Sequence, residues 1–321
     1  MGTVTEVLAV FGSDGPLRTV ERDEALLLAS PRPSPFPVEL FREHEPLAVV
    51  HFPQEFAAQP FAPPRGVYES GQLRIEWQTM DNRQPFYHRN CDVDEISYQI
   101  AGERTLMTEL GVVEHRAGEF SRLPRGVAHD NYGRRESHLL FYTPAPVAEE
   151  QAPVRRSEAV MPPFPGWEPK PVNEAVTECM GAPGHDLAVF PVDEERLLGQ
   201  VYGEKERLAV LVAGPEAAGT TWLYRSGSFR LGTVRLVPVA GGPRVYVRTV
   251  DADEIQYQIS GRRTLYTQRG TVELGPGDFV RVPLGVAHTS VVSGTSEHIS
   301  VLSSRELAQM AGTARTATFE R

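Results

Sequence analysis

Short runs in which apolar and polar positions alternate dominate the chain. From Val38 onward VELF, LAVVHF and, after the Pro-rich AAQPFAPPRG, QLRIEWQT all carry the period of two that puts successive side chains on opposite faces of a strand. Asp81-Asn82-Arg83-Gln84-Pro85 reads as a turn, since Asn and Asp bond their own backbone and Pro fixes φ. The next strand places His88 and Asn90 on one face. Further strands follow, separated by AGER, ELG, HRAGE and LPRG, and one through Ser137–Tyr142 closes the half. Helical patterns are few: a short one through ERDEALLLA, with Glu21, Asp23 and Glu24 at its N-terminal end, and one through SSRELAQMAG near the C-terminus. These are too few to provide the crossovers of a parallel sheet. The pattern predicts an all-β chain of two antiparallel barrels in tandem.

The tandem reading rests on an internal repeat. Tyr68–Arg74 is echoed by Tyr224–Arg230, Asp94–His129 by Asp253–His288, and Ser137-His138-Leu139 by Glu297-His298-Ile299. Three matches in the same order signify a duplicated domain. Residues 1–150 are expected to form the first, metal-binding domain, 151–171 a Pro-rich linker, and 172–321 a second domain lacking metal.

Composition narrows the function classes. In 321 residues, 32 Lys and Arg against 42 Asp and Glu give a net charge of −10, which disfavours a nucleic-acid surface. Cys91 and Cys179 form no C-x-x-C pair and point to free thiols in a reducing compartment. No export segment and no apolar run of roughly 18 residues stands out, so a cytoplasmic protein without a membrane span is expected. Edge strands leave room for a homo-oligomer.

The chemistry gathers between His88 and His129. His88, Glu95 and His129 are two imidazoles and a carboxylate, the set a non-haem ferrous site uses when positions must stay open for substrate or dioxygen. Inward side chains of a small barrel converge on one volume, so the three are expected to stand together. The repeat keeps Glu254 and His288 but has Val247 where His88 falls. Asn90 is a candidate to orient a bound water or substrate oxygen. His138 is a candidate proton acceptor, although its echo His298 also suits a structural role. Arg89 and Arg125 are candidates to hold a substrate carboxylate, and no arginine stands at the position matched to Arg125. Arg104 and Arg122 recur as Arg263 and Arg281, and Tyr98 as Tyr257, which suits packing.

The pattern His88-x-Asn90-x₄-Glu95-x₆-Gly102, followed by Gly118-x₅-Pro124-x-Gly126-x₂-His129, resembles the two motifs of the cupin superfamily, with Asn90 where the first motif usually has histidine. The second half matches through Glu254-x₆-Gly261 and Gly277-x₅-Pro283-x-Gly285-x₂-His288. Pro85-Phe86-Tyr87-His88-Arg89-Asn90-Cys91 is further similar to homogentisate 1,2-dioxygenase and related bicupin ring-cleaving enzymes. This chain is shorter than those enzymes, its His-to-Glu gap is one residue longer, and its metal motif lies in the first half. The resemblance implies Fe(II) bound by His88, Glu95 and His129. It also implies a dioxygenase acting with O₂ on a hydroxylated aromatic acid of homogentisate or gentisate type. A metal-dependent isomerase, epimerase or lyase, or a bicupin that only binds a small molecule, are the alternatives.

Overall fold

The computed structural model describes residues 2–29, 45–58, 63–161, 164–180, 185–214, 218–239 and 241–319. The strand expected at VELF lies outside them. Among the described residues the chain is β-strand throughout, apart from two short helices, Glu24–Leu27 and Glu194–Gly199, and one 3₁₀ turn. No helix there is long and apolar enough to cross a membrane. The first helix is the one expected in ERDEALLLA, capped by the Asp23 carboxylate, which accepts from the Leu26 N–H. The expected C-terminal helix is absent. Ala308–Gln309 instead pairs with the strand Arg65–Glu69, and Leu307 is fully buried beside it. Burying that one leucine on a sheet edge overrides the helical pattern, because tertiary contacts outweigh small propensity differences.

The strands form two barrels. The first is wrapped by a twelve-stranded sheet, and the second is closed by facing sheets of six and eight strands. In the first barrel Asp94–Thr108 and Ala128–Thr143 pair along nearly their whole length, with register shifts around Arg134–His138. Their bend passes Gly102, whose φ is 69° and where a Cβ would sit 2.3 Å from the Arg135 carbonyl oxygen. Gly261 repeats this in the second barrel, with φ 68° and 2.3 Å to the Thr295 oxygen. Only glycine fits both the turn and the close approach.

Strand Asp94–Thr108 is buried on both faces for its first six residues. Glu95 faces the barrel interior, whereas Ile96 and Tyr98 face outward into a core shared with the second barrel. In that core Tyr98 lies against Phe120 and Tyr257 against Phe279, both with ring centroids 4.5 Å apart. Tyr98 and Tyr257 are thus equivalent packing residues, each contributing about 0.5–1.5 kcal/mol beyond its buried area.

Strand pairing does not follow the boundaries expected at 150 and 172. The N-terminal strand Thr3–Ala9 runs parallel to Val245–Thr249, and Ala48–His51 pairs with Asp278–Val282, so these early strands help build the second barrel. Reciprocally, Pro171–Glu178 runs parallel to Tyr87–Asn90, and Ala209–Val212 pairs with Glu119–Leu123 of the first barrel. The supposed linker also takes part, through Arg155–Arg156 against Ala209–Val212, and just before it Ala148–Glu149 pairs with Gly219–Arg225 of the second barrel. Each half of the chain lends its opening hairpin to the other half's barrel.

The two lent hairpins use one set of anchors. After the first, Glu24 accepts from the Tyr246 hydroxyl at 2.9 Å. After the second, Glu194 accepts from Tyr87 at 2.8 Å and from Trp167 Nε1 at 3.2 Å, and also pairs with Arg83. Glu6 and Glu174 take Arg248 and Arg89 in the same way. A buried carboxylate is costly unless its oxygens are occupied. These contacts therefore fix where each hairpin docks.

Candidate functional site

His88 lies on the strand Tyr87–Asn90, where it sits opposite His129 of Ala128–Thr143. Glu95 comes from the neighbouring long strand, and all three side chains line one cavity of about 500 Å³. The His88 and His129 ring centroids are 5.6 Å apart, and His129 Nε2 is 3.7 Å from Glu95 Oε2. The chain therefore does bring the three expected residues to one chamber. As placed, however, no three described His, Cys, Asp or Glu side chains converge closely enough to hold one ion.

The lent hairpin explains the gap. Thr177 Oγ1 lies 2.8 Å from His88 Nε2 and 3.3 Å from Asn90 Oδ1. One hydroxyl hydrogen serves only one acceptor, so a consistent arrangement has His88 Nε2–H donating to Thr177 and Thr177 donating to Asn90. Asn90 Nδ2 then donates to Glu95 Oε2 at 3.0 Å, and the Cys179 thiol donates to Asn90 Oδ1 at 3.1 Å. Asn90 thus holds the glutamate from behind and is not among the described residues lining the cavity, which differs from the expected role of orienting a bound water or substrate oxygen. Thr177 and Cys179 belong to a segment that the sequence pattern assigned to the other domain.

Electrostatics follow from burial. Desolvation, with His129 nearby, pushes the His88 imidazole down to about 4 against the pull of Glu95. Burial and then Glu95 push the Cys179 thiol up to about 12, so it remains a thiol. Tyr142, another wall residue, is held far above its usual range by burial and by Glu95 and Glu76.

The cavity has two characters. Phe56, Phe86, Met80, Leu140 and three prolines give an apolar wall, while Gln84 and Asn131 join the imidazoles and Glu95 on the polar side. Glu95 and, at the exposed mouth, Asp81 are its carboxylates, and no lysine or arginine lies among the described lining residues.

Arg89 and Arg125 are not in this chamber, which corrects their expected role. Arg89 bonds Glu109 at 2.9 Å and pairs with Glu174 and the Gly126 carbonyl, clamping the lent hairpin to the barrel. Strand register sets Val247 opposite His288 as His88 is opposite His129, so Arg248 stands at Arg89's place and repeats its contacts with Glu6 and Gly285. Arg125 is half exposed and donates to the Pro144 carbonyl, with Asp94 at 3.9 Å. Both guanidiniums are drawn off by acceptors distant in sequence.

His138 does line the chamber. Its Nδ1 lies 2.8 and 3.0 Å from the two oxygens of Glu136, and both residues are buried. Gln99 Nε2 donates to the same carboxylate at 2.9 Å.

The second barrel holds a smaller cavity of about 320 Å³, lined by Val247, Glu254, His288 and His298. Glu254 Oε2 is 3.2 Å from His288 Nε2, and Ser300 and Gln256 donate to Oε1 at 2.7 and 3.0 Å. Burial raises the Glu254 pKa, but His288, the Ser300 hydroxyl and His298 bring it down to about 2. The glutamate's oxygens are already taken by the protein itself.

No protein-family model matches the chain, and no curated protein matches it. Solved structures do. The cupin 2 conserved barrel domain protein from Leptotrichia buccalis is similar at 7% identity, covering 77% of this chain and 91% of that one, with a TM-score of 0.48. A point mutant of Bacillus subtilis oxalate decarboxylase OxdC is similar at 16% identity, covering 85% and 81%, also with a TM-score of 0.48.

Proposed function

We propose that the first chamber is a metal-dependent catalytic site, with a divalent ion held by His88, Glu95 and His129 and a small chelating organic molecule as substrate. The observation that carries this reading is a charge imbalance. Glu95 is only 4% exposed and faces a cavity with no described lysine or arginine on its wall. Its protein partners are the Asn90 amide and a long 3.7 Å contact to His129. A buried carboxylate beside two imidazoles, with no described lysine or arginine, favours a cation. The donor set fits a divalent ion in kind, and in position it needs the His88 ring to turn from Thr177.

A bound divalent ion there supplies positive charge that acidifies an oxygen attached to it and, as Fe(II), a place for dioxygen. The chain's own residues do the rest. Asn90 fixes Glu95, Phe56, Phe86, Met80 and Leu140 hold an organic body, and Gln84 and Asn131 offer hydrogen bonds to its polar edge. With Arg89 and Arg125 engaged elsewhere, the described chamber wall offers no guanidinium to a substrate acid group, and a divalent ion held by His88, Glu95 and His129 would supply its counter-charge.

Within this reading the apolar wall, with Phe56 and Phe86 in it, favours an aromatic ring. With Fe(II), the chemistry is then opening of a hydroxylated aromatic acid of homogentisate or gentisate type by dioxygen. With a redox-inert ion the same chamber suits isomerisation, epimerisation or carbon–carbon cleavage. The test is reconstitution with Fe(II), Mn(II) or Zn(II), followed by a panel of dihydroxy and aminohydroxy aromatic acids and small hydroxy acids, with oxygen uptake and product mass recorded. A mass gain of two oxygen atoms supports ring opening, and anaerobic conversion supports the redox-neutral chemistry. Tight binding without any conversion would contradict the enzyme reading.

A further inference from the structure

We propose that His138 and Glu136 form a proton-transfer dyad of the first chamber, in which His138 Nε2 takes a hydroxyl proton from the bound molecule and Glu136 fixes the imidazole for that task. This deepens the catalytic reading above and rests on it for the presence of a substrate.

The geometry is specific. Glu136 and His138 stand two residues apart on one strand and so share a face. Both Glu136 oxygens lie within 3.0 Å of His138 Nδ1, so Nδ1 carries the hydrogen and Nε2 is the nitrogen left for the chamber. Glu136 is fully buried, is held by the Gln99 amide, and has the buried guanidinium of Arg104 nearby as counter-charge. A buried carboxylate behind an imidazole holds its tautomer and stabilises the cation formed when the ring is protonated.

The duplicate serves as an internal control. Gln99 and His138 face each other across the strands as Gln258 and His298 do. Arg104 likewise has its counterpart in Arg263, which is buried in the same way. At the place of Glu136, however, the second barrel has Ser296, which accepts from Gln258 Nε2 at 2.7 Å. His298 Nδ1 is then left buried without a partner among the described residues. The fold therefore does not require a carboxylate behind this histidine. It is present only in the chamber that also has His88.

In the step itself the substrate O–H bond breaks, its electron pair stays on oxygen, and the proton forms a bond to Nε2. Glu136 neither gives nor takes a proton in this step, and the proton on Nε2 later returns to product or water. No oxidant or reductant is consumed.

Two readouts test this. Nitrogen NMR of the full-length chain labelled with ¹⁵N-histidine, with and without Zn(II), reports the tautomer, the His138 signals being assigned by their loss in His138→Gln. The dyad requires Nδ1–H with a bare Nε2, and loss of that single tautomer in Glu136→Gln. Wild-type His138 protonated on Nε2 would overturn it. Kinetically, His138→Gln and Glu136→Gln should each lower kcat by about 10²–10⁴-fold with KM little changed. His298→Gln should leave kcat intact. Turnover that survives His138→Gln would overturn the dyad and leave the chamber reading standing. Absence of turnover in the wild type would instead overturn the chamber reading, and the tautomer alone would then decide the dyad.

Discussion

If Thr177 holds His88 away from an ion, removing its hydroxyl should tighten metal binding. In Thr177→Val the contact of 2.8 Å to His88 Nε2 disappears, while Asn90 Oδ1 keeps the Cys179 thiol as donor. A neutral hydrogen bond is worth about 0.5–1.5 kcal/mol net. That amount must be given up each time His88 turns to an ion, so its absence should lower the dissociation constant about 2- to 13-fold. The same substitution should cost the metal-free fold about 1 kcal/mol, since two buried polar groups lose a partner. Competition titration of Zn(II) against a chromophoric chelator gives the affinity, and urea unfolding of the metal-free chain gives the stability. An unchanged or weaker affinity in Thr177→Val would refute the claim that this hydroxyl competes with the ion for His88.

Other consequences follow from particular residues. Glu194→Ala removes the common acceptor of Tyr87, Trp167 and Arg83 and should cost about 3–5 kcal/mol in urea unfolding, far more than a surface glutamate. Gly102→Ala places a Cβ 2.3 Å from the Arg135 oxygen at a positive φ, so it should lower stability by more than about 1 kcal/mol, and a neutral result would refute the close approach. The Glu254 pKa lies near 2, below its unfolded value, so its contribution is present above about 4.3 and is lost as pH falls toward 2. Unfolding measured at pH 5 and pH 3 should therefore show a steeper acid loss in wild type than in Glu254→Gln; equal losses would contradict the depressed pKa.

The site was more legible than the way the chain is threaded. Spacing alone put His88, Glu95 and His129 into one barrel, because inward residues on paired strands must share an interior, and register confirms Val247 at the place of His88. The exchange of hairpins was harder to see, since alternation says that a strand exists but not which edge it joins. Its signal was nonetheless present: Val4-x-Glu6 with Asp23-Glu24 is echoed by Val172-x-Glu174 with Asp193-Glu194, and Leu47-Ala48-Val49 by Leu208-Ala209-Val210. That echo extends the duplication to the whole chain and marks the lent segments. Arg89 misled because neither acceptor is its near neighbour in sequence: Glu174 arrives with the exchanged hairpin, and Glu109 lies beyond the long strand Asp94–Thr108. Glu136 could have been found by setting Glu136-Ser137-His138 beside Ser296-Glu297-His298 and asking which histidine has a carboxylate two residues before it.

The central claim is that one metal-holding chamber lies in the first barrel. Metal content by mass spectrometry, after equilibration of wild type, His129→Ala and His288→Ala with Fe(II) or Zn(II) and removal of loosely bound ion, tests it most directly. The account predicts about one ion per chain in wild type and in His288→Ala, and none in His129→Ala. Retention in His129→Ala with loss in His288→Ala, or no bound ion in the wild type, would contradict it.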